Sequence, residues 1–320
     1  MREFKKPKVV ISRCLGFDNC RYDGQSISSE FVDEFKNHVD YINPCPEVDI
    51  GLGTPRDSLR VVKKNGSLSF VQTNTGKNYT EEINKYANNF LNDLENVDGF
   101  ILKEGSPSCG FKGAKYYPGL GKVASNSKGS GFFGGAIIKR FPQHPIENEG
   151  RLRNFNIREH FLTRLFLMPE IRELRVDSTI KKLVNFQSRN KLLLMAYNQN
   201  LMRKLGKLVA NSDDEPIEKL VEKYIDGFLQ AINHTSRYTS NINVLMHALG
   251  YFKKVLSTEE KAFFLDALES YRKGKVPLSV PLYLIKSYIV KYDNDYLKSQ
   301  TFFEPYPEGL VEITDSGKGR

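Results

Sequence analysis

The stretch KVVISRCLG, residues 8–16, decides the fold. Lys8–Ser12 is a short run of β-branched residues, the pattern of a strand buried on both faces, and Cys14 stands just past its end. The same arrangement recurs twice. VDYIN (39–43) reads as a strand and is followed by Cys45; GFILK (99–103) reads as a strand and is followed, through the turn-rich GSPSCG, by Cys109. Helical patterns fill the gaps over 29–37 and 79–94. Strands alternating with helices predict a parallel α/β sheet with right-handed crossovers. In such a sheet the carboxyl ends of the strands share one edge, where ligands bind. Three cysteines distant in sequence are therefore expected to converge.

All four cysteines, Cys14, Cys20, Cys45 and Cys109, lie in the first third of the chain, without a C-x-x-C pair. Cys20 sits inside the loop CLGFDNCRYDG and is expected to stand apart. Three convergent thiolates can hold an iron–sulfur cluster with one iron open, or a zinc with one open position. Inert buried thiols are the plainer alternative. Glu47 lies two residues from Cys45 and is a candidate general acid/base, or a solvated loop acid. Ser106 and Ser108 flank Pro107, where their hydroxyls could bond a substrate or shape a turn. The glycine-rich SKGSGFFGGAI (127–137) could cradle a phosphate, although it lacks the P-loop and dinucleotide spacings.

A length of 320 residues suggests two domains. We expect an α/β domain over 1–145 and an all-α domain over 146–320, hinged at PQHPIENEG (142–150). Ile157, Phe161, Leu165 and Met168 recur at helical spacing. Ser257 with Glu260 makes a capping box before a helix over 261–271. No apolar run approaches a membrane span, and the N-terminus lacks a signal-peptide core, so a cytoplasmic protein without membrane partners is expected. Residues 151–208 carry 13 Lys and Arg against 4 Asp and Glu, a net charge equal to the +9 of the whole chain. Such asymmetry points to a polyanion, with nucleic acid the usual partner and a solvated basic surface the alternative.

SRCLG (12–16), CRYDG (20–24), PCPEVDIGLGTPR (44–56) and LKEGSPSCG (102–110) together resemble the signature motifs of the thiouracil desulfurase family, over about residues 5–145. The resemblance implies a compact Rossmann-like domain. It also implies a 4Fe–4S cluster on Cys14, Cys45 and Cys109 with one open iron, leaving Cys20 a non-ligand. Non-redox removal of sulfur from a thiolated base would follow, with Glu47 as acid/base and Ser106 as hydrogen-bond donor. Residues 243–285 and 296–307 resemble the helical, RNA-associated domain often fused to these desulfurases. The tandem architecture resembles the desulfurases acting on 4-thiouridine in tRNA. Expected phosphate contacts are Arg151, Arg153, Arg158, Arg172, Arg175, Lys181, Lys182, Arg189, Lys191, Arg203, Lys204 and Lys207. Tyr22 and Tyr116 are candidates to stack on an extruded base, or ordinary packing residues.

Two alternatives accompany this reading. The substrate could be free thiouracil or a thiouridine nucleotide. The chain could instead be a non-catalytic RNA-binding protein whose cysteines hold a structural zinc.

Overall fold

A computed structural model describes residues 2–210 and 215–311. The chain forms two compact units, one of Lys5–Pro169 with 309–311, the other of residues 2–4 with Glu170–Glu308.

In the first unit β1 (Lys8–Ile11) lies between β2 (Asp40–Ile42) and β5 (Gly99–Leu102), and β8 (Ile146–Asn148) flanks β5. All three pairings are parallel, with Val10 opposite Ile42 and Phe100. Val9, Val10 and Ile11, like Phe100, Ile101 and Leu102, are wholly buried, which is why these strands are apolar without alternation. The crossover helices are α1 (Glu30–Phe35), capped by Ser29, and α3 (Thr80–Asn92). The apolar face of α3, with Ile83, Ala87 and Leu91, packs inward; Ala87 and Leu91 meet Val10, Phe100 and Phe133 in one core.

A second sheet lies outside the sequence expectation. β3 (Leu59–Lys64) and β4 (Ser67–Gln72) form an antiparallel hairpin, extended by β6 (Ala114–Tyr117) and β7 (Ser127–Gly129) in the order β4-β3-β6-β7. Asn65 and Gly66 turn the hairpin with φ of 48° and 82°, the two positive values that the Asn-Gly turn supplies.

The first unit also runs past the expected 145/146 boundary. Helix α5 (Phe155–Leu165) belongs to it: Phe161 packs its ring 6.4 Å from that of Phe35, and the Arg164 guanidinium donates to the Gln143 carbonyl at 2.7 Å. Leu165 presses so closely on Gly99 that a Cβ there would lie 2.6 Å from its Cδ1. The apolar stripe read as the start of a helical domain is thus the cover of the α/β domain.

The second unit is helical. It holds most of α6 (Met168–Val176), then α7 (Ile180–Arg189), α8 (Lys191–Tyr197), α9 (Gln199–Ala210), α10 (Ile217–Ala231), α11 (Tyr238–Gly250), α12 (Thr258–Arg272), α13 (Ser279–Lys291) and α14 (Asp295–Lys298). The capping box is present: Ser257 Oγ accepts from Glu260 N at 3.1 Å and Ser257 N donates to Glu260 Oε2 at 2.8 Å. Among the described residues no helix is long and apolar enough to cross a membrane.

Candidate active site

Two backbone bonds and one to a side-chain hydroxyl draw the strand ends together. Ser12 N donates to Ile101 O at 3.0 Å, Arg13 N to Pro44 O at 3.0 Å, and Lys103 N to Ser12 Oγ at 3.0 Å. The segments bearing Cys14, Cys45 and Cys109 are therefore joined at the carboxyl edge of the parallel sheet, as the strand pattern predicts.

Cys20 does not stand apart. Its loop is closed by Arg21 N on Gln25 O at 3.2 Å, with Gly24 at φ +73°, and it folds back over the edge. The Cys20 side chain is only 2% exposed, and the Cys45 thiol donates to the Cys20 carbonyl at 3.8 Å. Its neighbour Cys14 and burial push Cys20 up to about 11. Cys45 is raised further by its bond to Cys20 and by burial. Burial pushes Cys109 up to about 12, against the opposing influence of the Ser12 and Ser108 hydroxyls.

Cys45 caps the short helix α2 (Pro46–Asp49), which carries two carboxylates with different surroundings. Asp49 is structural: it accepts from Cys45 N at 3.2 Å, Arg13 Nη2 at 2.9 Å and the Tyr86 hydroxyl at 2.7 Å. Glu47 is buried, so it is not a solvated loop acid. Its Oε1 accepts from Ser108 Oγ at 2.8 Å, and its Oε2 accepts from Arg56 Nε at 2.9 Å and from Arg56 Nη2. Arg56 also donates through Nη1 to the Cys20 carbonyl at 2.9 Å, while its backbone N binds Tyr22 O at 2.9 Å. One guanidinium thus joins the carboxylate to the Cys20 loop.

The two serines divide the roles read for them. Ser106 Oγ accepts from Ser108 N at 3.2 Å and Cys109 N at 3.1 Å, which is turn-building work. Ser108 reaches Glu47, and its Oγ is 3.0 Å from Ser106 Oγ and 3.9 Å from Cys109 Sγ. With the Ser108 proton directed to Glu47, Ser106 is the donor between the two hydroxyls. The structure thus puts Ser108, rather than Ser106, in direct bonding with the carboxylate.

The glycine-rich segment does not form a phosphate cradle. Helix α4 (Phe132–Arg140) begins there, and its amino end is taken by the Cys109 loop. Gly131 N donates to Gly110 O at 2.6 Å, Phe132 N to Pro107 O at 3.2 Å, and Gly134 N to Ser108 O at 3.0 Å. A Cβ on Gly134 would lie 2.4 Å from the Cys109 carbonyl oxygen, so glycine is needed for that approach. Tyr116 is likewise a core residue, its hydroxyl tied to Ser130 O at 2.7 Å; Tyr22 is half exposed.

The basic residues are scattered by the fold. Arg151, Arg153 and Arg158 belong to the first unit and the other nine to the second. Arg158 is 2% exposed and donates to Leu152 O at 2.9 Å, so it is a core residue and not a phosphate contact. Arg151 pairs with Glu147, Arg175 with Glu222, Lys182 with Asp177 and Arg189 with Glu170. Arg153, Lys181, Lys191, Arg203, Lys204 and Lys207 are exposed; Arg172 is half-buried.

Among the described residues no three His, Cys, Asp or Glu side chains close around one point as ligands of a single ion do. The donor set is nevertheless soft: thiols from three strand ends, Cys45 and Cys109 buried and Cys14 partly exposed, suit iron and sulfide better than a hard cation.

Sequence missed Arg56 and the true place of Cys20. Arg56 closes the motif PCPEVDIGLGTPR, and a lone arginine in a glycine-rich loop gives no sign of its partner. The fold and site define a class: a parallel α/β domain with thiols and a buried carboxylate at its carboxyl edge. Residues 9–149 match the family model described as 2-thiouracil desulfurase, and 191–307 match one described as a protein of unknown function, DUF1722. An uncharacterized protein of Escherichia coli K12, YbgA, is 30% identical over 158 residues, spanning 49% of this chain and 93% of its own length. YbbK of Bacillus subtilis 168, also uncharacterized, is 30% identical over 139 residues, 39% of this chain and 91% of its own. A solved structure titled [4Fe-4S]-dependent thiouracil desulfidase TudS is 31% identical and covers 46% of this chain and 93% of its own. The TM-score between the two is 0.38. The chain belongs to the 2-thiouracil desulfurase family and carries a DUF1722 region after the desulfurase domain.

Proposed function

We propose that the first unit removes sulfur from a free thiolated pyrimidine of the thiouracil type. The observation that carries this is the buried Glu47, held by Ser108 on one oxygen and Arg56 on the other, on the helix that Cys45 begins and with Ser108 Oγ 3.9 Å from Cys109 Sγ. Cys14, Cys45 and Cys109 would hold a 4Fe–4S cluster. With three protein thiolates, such a cluster offers one open iron as a soft Lewis acid for a thiocarbonyl sulfur.

The chain supplies the rest. Arg56 fixes the Glu47 carboxylate in place and balances its charge in a buried position. Ser108 extends Glu47 toward Cys109, so a proton from water reaches the carboxylate directly or through the Ser108 hydroxyl. Water adds to the thiocarbonyl carbon, Glu47 takes its proton, and the carbon–sulfur bond breaks with sulfur leaving as hydrosulfide. A C–O bond replaces a C–S bond and no electrons are gained or lost. Ser106 supports this arrangement by holding the backbone of Ser108 and Cys109.

The same site is read second as acting on 4-thiouridine in tRNA. The exposed Lys191, Arg203, Lys204 and Lys207 of α8 and α9 favour that reading, since lysines and arginines of this kind position RNA phosphates. Turnover of 2-thiouracil, 4-thiouridine monophosphate and thiolated tRNA by the same anaerobic preparation tests the choice. Uracil formation from the free base, little affected by salt, is the expected result. Turnover confined to tRNA and falling steeply with salt would favour the second reading.

A further inference from the structure

Helices α3 and α4 lead into neighbouring parallel strands and lie side by side, their apolar faces meeting through Ala87, Leu91, Phe133 and Ile137. Between them runs a groove of about 500 Å³, within the range of small-molecule sites, and none of the thiols, Glu47, Arg56 or Ser108 lines it. Asn84, Asn88 and Asn92 line one side at successive turns of α3. Ser130, just ahead of α4, and Lys139 and Arg140 in its last turn line the other. Among the described residues none of these side chains has a hydrogen-bond or ion-pair partner within the chain, and no carboxylate lines the groove. Positive charge at a helix carboxyl end is favourable in itself and accounts for the two cations alone. Asparagine is a weak helix former, so helix stability does not account for a row of three on α3. Gly135 keeps the groove open beside Ser130, since a Cβ there would lie 2.6 Å from Ser130 Oγ.

We propose that this groove binds a nucleoside monophosphate, independently of the desulfurase site. Lys139 and Arg140 bring two positive charges to the carboxyl end of α4, which match one phosphate monoester, close to a dianion at neutral pH, rather than a run of phosphates. The asparagine row spans about 12 Å at the helical rise, too long for a phosphate ion by itself. Each carboxamide offers both a donor and an acceptor, the pairing that base edges and ribose hydroxyls require. Half-buried Leu68 and Phe132 add an apolar surface for the face of a base. Binding makes and breaks no covalent bond.

The test is calorimetric titration of the full chain with AMP, UMP, inorganic phosphate and a short oligouridylate. Wild type is compared with Lys139→Gln/Arg140→Gln and with Asn88→Asp, which puts a carboxylate into the groove at constant size. Lys85→Gln/Lys122→Gln, which removes two exposed cations outside the groove, is the control. AMP or UMP should bind wild type at one site per chain, about 10- to 100-fold more weakly in the two groove variants. The control should bind as wild type does, and thermal unfolding should be alike in all four proteins. Inorganic phosphate binding as tightly as the nucleotides would overturn the nucleoside reading. Tighter binding of the oligouridylate would point to a polynucleotide and overturn it as well. Affinity unchanged in the groove variants, or nucleotide displaced by 2-thiouracil, would place the ligand elsewhere and overturn the inference. A wild type that binds no nucleotide would overturn it too, leaving the desulfurase reading standing.

Discussion

Arg56 Nε donates to Glu47 Oε2 at 2.9 Å in a pair whose side chains are 5% and 11% exposed. Two segments nine residues apart are thereby locked in a buried place. Removing the guanidinium leaves the carboxylate unpaired, which costs about 3 kcal/mol for a pair of this kind. Arg56→Ala is expected to lower Tm by roughly 6–12 °C in the first unit, with Arg56→Lys, which keeps the charge but not the fork, between it and wild type. Calorimetry of the three proteins checks the order.

Ser106 and Ser108 should fail differently. Ser108→Ala removes the donor to Glu47 Oε1, and leaving a buried acceptor unsatisfied costs about 1–3 kcal/mol. Turnover should fall about 10- to 100-fold while iron content holds. Ser106→Ala removes the acceptor for Ser108 N and Cys109 N, so cluster retention should suffer first. Iron per chain and turnover, measured on one preparation, separate the two.

Gly134→Ala should damage the Cys109 loop from outside the site. Its new methyl would meet the Cys109 and Gly110 carbonyl oxygens at 2.4 and 2.5 Å, backbone atoms that cannot give way without moving the loop. A stability loss of about 1–3 kcal/mol is expected, together with poor iron retention. Gly121→Ala, with nothing within 4 Å of its Cβ, is the control and should behave as wild type in both.

What the sequence made legible follows from where the information is local. Short apolar runs with a cysteine after each placed Cys14, Cys45 and Cys109 at one sheet edge, since parallel pairing leaves little choice. The β3–β4 hairpin went unread although its Asn65-Gly66 turn is a strong local signal. Cys20 lies away from any strand end in sequence, yet the turn at Gly24 returns its loop to the site, where its carbonyl meets Arg56 and Cys45 Sγ. Arg158 looked like one more charge in a basic run. Its burial depends on the packing of α5 against the sheet domain, which no spacing rule reports.

That contrast gives a prediction. Arg158→Ala should lower Tm without changing any salt-dependent affinity for RNA, because the side chain is buried. Exchanging Arg203, Lys204 and Lys207 together for glutamine should leave Tm nearly unchanged. If those residues meet phosphates, the triple exchange reduces the slope of log affinity against log salt by about 3. Thermal unfolding and RNA titration at several salt concentrations check both variants.

The cluster-free chain should lose stability in alkali. Burial raises Cys109 from its ordinary 9.0 to about 12, so the folded chain holds a proton that the unfolded chain has released between those values. Its stabilising contribution is complete below pH 9 and is lost as pH rises toward 12. Tm of the cluster-free protein should therefore fall over that interval, and Cys109→Ala should flatten the fall.

The most direct measurement is the uracil and hydrosulfide released from 2-thiouracil by anaerobically reconstituted protein carrying about four irons per chain, with no electron donor added. Equal amounts of the two products, abolished by Glu47→Gln at unchanged iron content, are expected. A fully loaded protein that leaves 2-thiouracil intact, or that releases sulfide only when a reductant is supplied, would contradict the account.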